Sequence, residues 1–224
     1  MIDGKSMVRR VYIQALKAKS LRKVIVTTDD DKIFKHVNDF GGDVVMTSLR
    51  HESGTARCDE AMRLFGGKYD AVINIPCDAP FIQPAQIDQV AGCLEAGAEI
   101  ATLIKRIENK KDYESSLTVK AIINKNFEAL YFSRSTIPFI RKGISKPLLD
   151  EVPFYKMTGE IFGYQSSVLG AIAKLPPTPF EELENIEPLR WLDAGFRIKV
   201  RETNFETLWI DSVEDLEKLK EILV

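Results

Sequence analysis

The 224-residue chain carries 31 Lys and Arg against 33 Asp and Glu, a formal net charge of −2, with 45% hydrophobic and 29% charged residues. That balance excludes a disordered chain, and it excludes a surface that tracks nucleic-acid phosphates, which needs a basic excess or stripe. Its length suits one large domain spanning 1–224. The 3 cysteines, Cys58, Cys77 and Cys93, lack paired metal-ligand spacing and read as reduced thiols of a cytoplasmic protein. No apolar stretch approaches the ~18 residues of a membrane span, and residues 1–5 hold neither a basic segment nor an apolar core, so no membrane partner or signal peptide is expected.

Met7, Val8, Val11, Ala15 and Leu16 recur at helical spacing and predict a helix over 7–18, followed by a short buried strand over 21–28. Asp30 caps a second helix that reaches Phe40 and ends at Gly41-Gly42. Residues 43–46 are extended, 55–65 helical and 69–75 a strand; a helix over 84–96 and a strand over 99–104 follow. Continuous apolar strands between helices predict the α/β class, a mainly parallel sheet flanked by helices. The register then changes. Strands at 118–123 and 129–132, joined by the polar turn 124–126, predict an antiparallel insertion that opens a small lobe over about 118–165. Residues 138–153 read as an exposed loop, 159–164 as a strand and 167–174 as a helix. After the Pro176-Pro177 break come helical turns over 181–194, a strand over 196–201 and a final helix over 213–223.

Ligands of such sheets sit beyond the carboxyl ends of the strands, where Thr27, Thr28, Asp29, Asp30 and Asp78 would lie. Asp78, at the end of the apolar run 71–75, is a candidate ligand for a hard cation set against phosphate oxygens. Asp211 is the second candidate, standing after Leu208-Trp209-Ile210; an aspartate before a helix is equally an N-cap, with Glu214 its capping-box partner. Ser53, Gly54 and Thr55 offer hydroxyls and backbone N–H groups to a nucleotide, although Thr55 as a helix cap and Gly54 as a turn residue explain the tripeptide too. Arg57 falls in the first helical turn, where the helix dipole disfavours its charge, which points to an anionic or carbonyl-bearing ligand beside it. His51 reads as a hydrogen-bonding or loop-positioning residue, and Cys77 as a buried, inert thiol. Arg134, among the hydroxyls of Ser133, Ser135 and Thr136, suits a carboxylate or phosphate, with a surface ion pair as the alternative. Glu181, Glu182, Glu184 and Glu187 read as a solvated face, and Trp191 as a core or interface residue.

Taken in order, Ile2 to Met7, Thr27 to Asp30, Gly41-Gly42, Val45 to Thr47, His51 to Arg57, Asp78 with Pro80, Val119-Lys120, Ala129 to Pro138, Leu189-Arg190 and Asp211 to Leu216 resemble the 3-deoxy-manno-octulosonate (Kdo) cytidylyltransferases across nearly the whole chain. The resemblance implies a nucleotide-diphospho-sugar transferase fold and a cytoplasmic, Mg2+-dependent homodimer, paired through the antiparallel lobe. It implies an enzyme that makes CMP-Kdo and pyrophosphate from CTP and Kdo for lipopolysaccharide biosynthesis. By matching positions it implies Asp78 and Asp211 as the magnesium pair and catalytic residues, Ser53, Gly54, Thr55 and Arg57 as nucleotide contacts, and Arg134, Glu187 and Tyr164 as contacts to the acidic sugar. The family opens with a strand and a glycine-containing loop bearing Arg and Lys that grips the triphosphate, and this sequence starts after their counterpart. Pro76-Cys77-Asp78-Ala79-Pro80 keeps the aspartate of the family's Gln-Gly-Asp-Glu-Pro but neither its amide nor its second acid. Residues 156–160 lack an expected histidine, and Pro188 stands for a glutamine. These departures leave two further expectations: a cytidylyltransferase for another acidic sugar such as an acylneuraminate, or a degenerate paralogue that binds a nucleotide or sugar or serves as a dimer partner.

Overall fold

The computed structural model describes residues 2, 4–143, 151–206 and 210. Helix α1 (Met7–Ala15) starts at Ser6, whose hydroxyl accepts from the Arg9 amide, and buries Val11, Tyr12 and Ala15. Strand β1 (Val26–Thr28) leads to helix α2 (Asp31–Asp39), capped as its sequence predicts: Asp30 Oδ1 accepts from the Lys32 and Ile33 amides at 2.7 and 2.9 Å. Strand β2 (Val44–Met46) pairs with β1 in parallel, Val26 opposite Val44. The strand expected from residue 21 is therefore present only over its last three residues, where β2 takes its hydrogen bonds.

Helix α3 (Gly54–Phe65) leads to strand β3 (Ala71–Asn74), helix α4 (Pro84–Glu95), strand β4 (Ile100–Arg106) and the short helix α5 (Lys110–Glu114). Strands β5 (Lys120–Ile123) and β6 (Ala129–Ser133) form the expected antiparallel hairpin, its turn held by Asn124 Oδ1, which accepts from the Asn126 and Glu128 amides at 2.8 and 3.0 Å. Strand β7 (Tyr155–Gln165) follows, then helices α6 (Ser166–Ile172), α7 (Pro179–Glu184) and α8 (Pro188–Asp193), and strand β8 (Ile198–Glu202). Helical turns expected as one run over 181–194 are thus two helices, separated where Asn185 turns left-handed at φ 53° and Pro188 opens the next. Residues 144–150 of the expected loop and the helix expected over 213–223 lie outside the described residues.

The α/β class stands, but the sheet is mixed. Strand β7 runs antiparallel to β3, β4 and β5, while β4 and β8 are parallel. Ile161, Phe162, Gly163 and Tyr164 are buried in succession because helices cover both faces of β7, so its apolar run has the look of a parallel strand. The β5–β6 hairpin pairs with the N-terminal half of β7, making it continuous with the main sheet.

Among the described residues β1 and β2 form a sheet of their own, and no strand takes the outer edge of β1 or the edge of β3 away from β7. Between those edges lies a cavity of about 450 Å³, with α1 and α4 on one side and α3 on the other.

Close packing of α4 on β7 depends on Gly163. A methyl there would stand 2.6 Å from Val90 Cγ1 and 2.7 Å from Leu94 Cδ1. Gly163→Val should therefore cost about 1–3 kcal/mol and lower Tm by several degrees in scanning calorimetry; an unchanged Tm would show that this contact yields freely.

Candidate active site

Helix α3 begins where three strands end. Its N-cap is Ser53, whose Oγ accepts from the Ala56 amide at 3.2 Å, so Thr55, the expected alternative cap, is released for another task. Gly54 packs on the end of β3: a β-carbon there would lie 2.6 Å from Asn74 Nδ2, too close for any side chain to remain unshifted. The arginine in the first turn reaches back to the other two strands. Arg57 donates to Asp29 Oδ2, just beyond β1, and to Thr47 Oγ1, just beyond β2, both at 2.7 Å. The anionic neighbour that its position called for is Asp29, whose carboxyl the guanidinium holds below its ordinary range.

Thr55 is fully buried, with Oγ1 3.2 Å from the Tyr164 hydroxyl and donating to Glu187 Oε2 at 3.1 Å. With its one proton on the carboxylate, the Thr55 oxygen accepts the proton of Tyr164. Asn74 also hydrogen-bonds Tyr164. Burial pushes the Tyr164 phenol well up and raises the Glu187 carboxyl as well, against hydrogen bonds from Ser53 and Thr55 and the field of Arg190. Trp191 stands edge-on to Phe162 and Tyr164, with ring centroids 5.1 and 5.6 Å away, which settles it in the core.

Ser53, Gly54, Thr55, Tyr164 and Glu187 therefore form one constellation, and Arg57 adjoins it. Asp29, which the sequence placed at the ligand-bearing strand ends, belongs to it too, as do Asn74 and Thr47, which sequence reasoning did not name as site residues. Asn74 left a signal, as the one polar side chain inside the apolar run 71–75.

Asp78 lies in the turn after β3, partly buried, and its carbonyl accepts from the Ile210 amide at 3.1 Å. Asp211, its expected partner, lies outside the described residues. Among the described residues no group of three or more His, Cys, Asp or Glu side chains gathers as a metal site. Cys77 is exposed, not buried as expected; desolvation of its thiol and the adjacent Asp78 carboxylate push that thiol upward, away from nucleophilic thiolate.

Arg134 is neither free nor in a surface ion pair. Its Nε donates to the Glu184 carbonyl at 2.7 Å, and its terminal nitrogens reach the Ser116 and Asn185 carbonyls at 3.3 and 3.4 Å, closing the C-terminus of α7. Glu184 answers from the other side, accepting from the Arg134 amide at 2.8 Å and the Ser133 hydroxyl at 2.5 Å. Glu181, expected on a solvated face, is buried and paired with Arg190, whose Nε donates to it at 2.6 Å. His51 keeps its loop-positioning part: its Nε2 lies 2.6 Å from Glu60 Oε2, which also accepts from the Ser48 amide at 2.7 Å.

A raised carboxyl weakens the fold once it ionises. The favourable contribution of Glu187 is complete below its ordinary value of 4.5 and is lost as pH rises through the higher folded value. Glu187→Gln should consequently raise Tm at pH 7–8 by about 2–4 °C, the scale of ~1 kcal/mol in a chain of this size, and leave it unchanged near pH 4. A loss of Tm at both pH values would mean that the hydrogen bond, not the charge, dominates.

The cytidylyltransferase family profile matches residues 1–203. A 3-deoxy-manno-octulosonate cytidylyltransferase of Parabacteroides distasonis is 46% identical over 97% of this chain and 87% of its own length. An 8-amino-3,8-dideoxy-manno-octulosonate cytidylyltransferase of a Shewanella species is 40% identical over 99% of the chain and 89% of its own. Among solved structures, a CMP:2-keto-3-deoxy-manno-octonic acid synthetase complexed with CTP superposes with a TM-score of 0.90 at 32% identity, covering 100% of this chain and 89% of the other. The 4-diphosphocytidyl-2C-methyl-D-erythritol synthase of Anaerococcus prevotii shares the fold, with a TM-score of 0.63 at 13% identity, 100% of this chain and 88% of that one. The chain belongs to the cytidylyltransferase family, among the 3-deoxy-manno-octulosonate cytidylyltransferases.

Proposed function

We propose that this chain transfers CMP from CTP to 3-deoxy-manno-octulosonate, releasing pyrophosphate, and so activates an acidic sugar for lipopolysaccharide assembly. The observation that carries this reading is the buried cluster of Thr55, Tyr164 and Glu187 at the first turn of α3, where β1, β2 and β3 end. A helix start offers backbone N–H groups and a positive dipole end, which suit the polar edge of a nucleotide. The identity of 40–46% to named enzymes of two manno-octulosonate sugars favours that sugar class over an acylneuraminate, and an enzyme over a binding-only paralogue.

In the reaction a sugar hydroxyl attacks the α-phosphorus; the new O–P bond forms as the bond to the β-phosphate oxygen breaks and pyrophosphate leaves, and the hydroxyl proton passes to solvent water. Ser53, Gly54, Thr55 and Arg57 hold and orient the nucleotide. Glu187 Oε1, which has no hydrogen-bond partner among the described residues, is the acceptor offered to a sugar hydroxyl, and buried Tyr164 supports it through Thr55. Arg134 has three of its five N–H groups on carbonyls, which leaves two for the sugar carboxylate. Asp78, with Asp211, would hold Mg2+, a hard cation that takes one or two carboxylates together with phosphate oxygens and water. When bound, Mg2+ supplies charge neutralisation and in-line orientation at the phosphates. A homodimer would cover exposed Leu117, Leu130 and Phe139 at the hairpin end of the sheet. Among the described residues no helix is long and apolar enough to cross a membrane, and the three thiols are free, consistent with the cytoplasm.

Pyrophosphate release from CTP and Kdo in the presence of Mg2+ is the direct test. Asp78→Ala should lower kcat by roughly 100-fold or more, the scale of a removed electrostatic stabiliser. Thr55→Val, close in size and without the hydroxyl, should raise KM and lower Tm by several degrees, because buried Tyr164 and Glu187 both lose their partner. Release unaffected by Asp78→Ala would contradict the assignment of that carboxylate, and no release with either manno-octulosonate sugar would contradict the reading itself.

A further inference from the structure

Ser133 is the last residue of β6 to pair with β5, opposite Lys120. Arg134, the next residue, has both of its main-chain polar groups held by charged side chains. Its N–H donates to Glu184 Oε2 at 2.8 Å, and its carbonyl accepts from Lys120 Nζ at 2.6 Å. One holder comes from the end of α7 and the other from the start of β5, and together they stand where a strand partner would. A backbone just past a strand is ordinarily satisfied by a turn or by water. Holding it with a partly buried carboxylate and a fully buried ammonium costs desolvation that a plain chain turn does not need, so the arrangement calls for a reason beyond the fold.

The hold extends to the side chain. The Glu184 carbonyl takes Arg134 Nε at 2.7 Å, and Glu184 Oε1 accepts from Ser133 Oγ at 2.5 Å. Lys120 also donates to the Ser115 and Thr118 carbonyls at 2.7 and 2.9 Å, while Arg134 Nη1 donates to the Ser116 carbonyl between them at 3.3 Å. The segment 115–118 is therefore braced against Arg134 from two directions. With Nε, Nη1 and Nη2 each committed to a different carbonyl, the plane of the guanidinium is set, and so are the directions of its two remaining N–H groups.

Charge points the same way. Burial lowers the Lys120 ammonium from its ordinary range, Glu184 opposes that shift and Arg134 adds to it, so the three groups share one field. The charges of Lys120 and Glu184 cancel. Among the described residues the guanidinium itself hydrogen-bonds carbonyls, which neutralise none of its charge, and one positive charge is left for an anion.

We propose that Lys120 and Glu184 are positioning residues for recognition of the sugar carboxylate. Neither touches the sugar; by holding Arg134 at its C=O and its N–H they aim its two spare N–H groups at both carboxylate oxygens. This rests on the assignment of Arg134 to the acidic sugar made above. A two-pronged contact tolerates little displacement, since both bonds weaken together when the fork turns. A holding pair of opposite sign fixes the arginine without altering the net charge the sugar meets.

The test is steady-state pyrophosphate release in the presence of Mg2+, with KM for Kdo and KM for CTP measured separately on the wild type, Lys120→Met and Glu184→Met. Methionine is close in length to both residues and removes their charge and hydrogen bonds. Position and net charge give opposite signs for Glu184→Met. Loss of a carboxylate beside Arg134 strengthens the field on an anion and would lower the sugar KM, whereas loss of the hold on Arg134 raises it. Both variants should raise KM for Kdo by about tenfold or more and leave KM for CTP within about twofold. A sugar KM that is unchanged or lower in Glu184→Met, or KM values that rise alike for sugar and CTP, would overturn the proposal. Should Lys120→Met not fold, Glu184→Met, whose side chain is only partly buried, decides alone. No release by the wild type would contradict the functional reading and the proposal with it; release by the wild type with an unchanged sugar KM in the variants overturns the proposal alone.

Discussion

A single hydroxyl proton organises the site. Thr55 Oγ1 has one to give, and Glu187 takes it, so the oxygen must accept from Tyr164. That direction of bonding ties three distant parts of the chain to one turn: α3 through Thr55, the end of β7 through Tyr164, and the entry to α8 through Glu187. The partners are buried, where an unmatched polar group costs about 1–3 kcal/mol, so the three elements hold their relative positions or lose hydrogen bonds together. Arg57, two residues on, extends the hold to the ends of β1 and β2. Helix α3 is thus the bracket that keeps two separate sheets in register at their carboxyl edges.

A second hub governs the opposite flank. Lys120 is 1% exposed, yet its ammonium meets three carbonyls, those of Ser115, Thr118 and Arg134, at 2.7, 2.9 and 2.6 Å. Full satisfaction is what makes a buried lysine tolerable. By holding the Arg134 carbonyl it fixes the end of β6, and Arg134 in turn closes α7 just before the turn that presents Glu187. The Arg134 flank is thus fixed by backbone carbonyls in addition to the apolar core, to which Ala121, Ala129 and Phe132 of the hairpin and Ile186 and Leu189 belong.

Much of this was legible in the residues. The cap at Asp30, the turn at Asn124, the helix after Ser53 and the strand ending near Asn74 are local signals, set by hydrogen bonds a few residues long. Sheet composition was less legible, because burial on both faces gives β7 the same continuous apolar run whichever way it runs. The site was half legible. Ser53, Gly54 and Thr55 carry turn and capping chemistry that marks the position, but whether Ser53 or Thr55 serves as cap is decided by which hydroxyl the fold needs inside. The intramolecular partners of Arg134 and the burial of Glu181 were not legible, because Glu184 and Asn185 for one and Arg190 for the other become neighbours only through tertiary packing. For Asp211 the described residues stop one short, at Ile210 beside Asp78.

The central claim is that nucleotide binds at the first turn of α3, in front of the strand ends. Hydrogen exchange with and without CTP and Mg2+ reads this site by site. The account expects added protection over 53–58 and 74–79, with none over 120–123 within the hairpin. Protection confined to the hairpin or to 181–190, with the start of α3 exchanging as before, would contradict it.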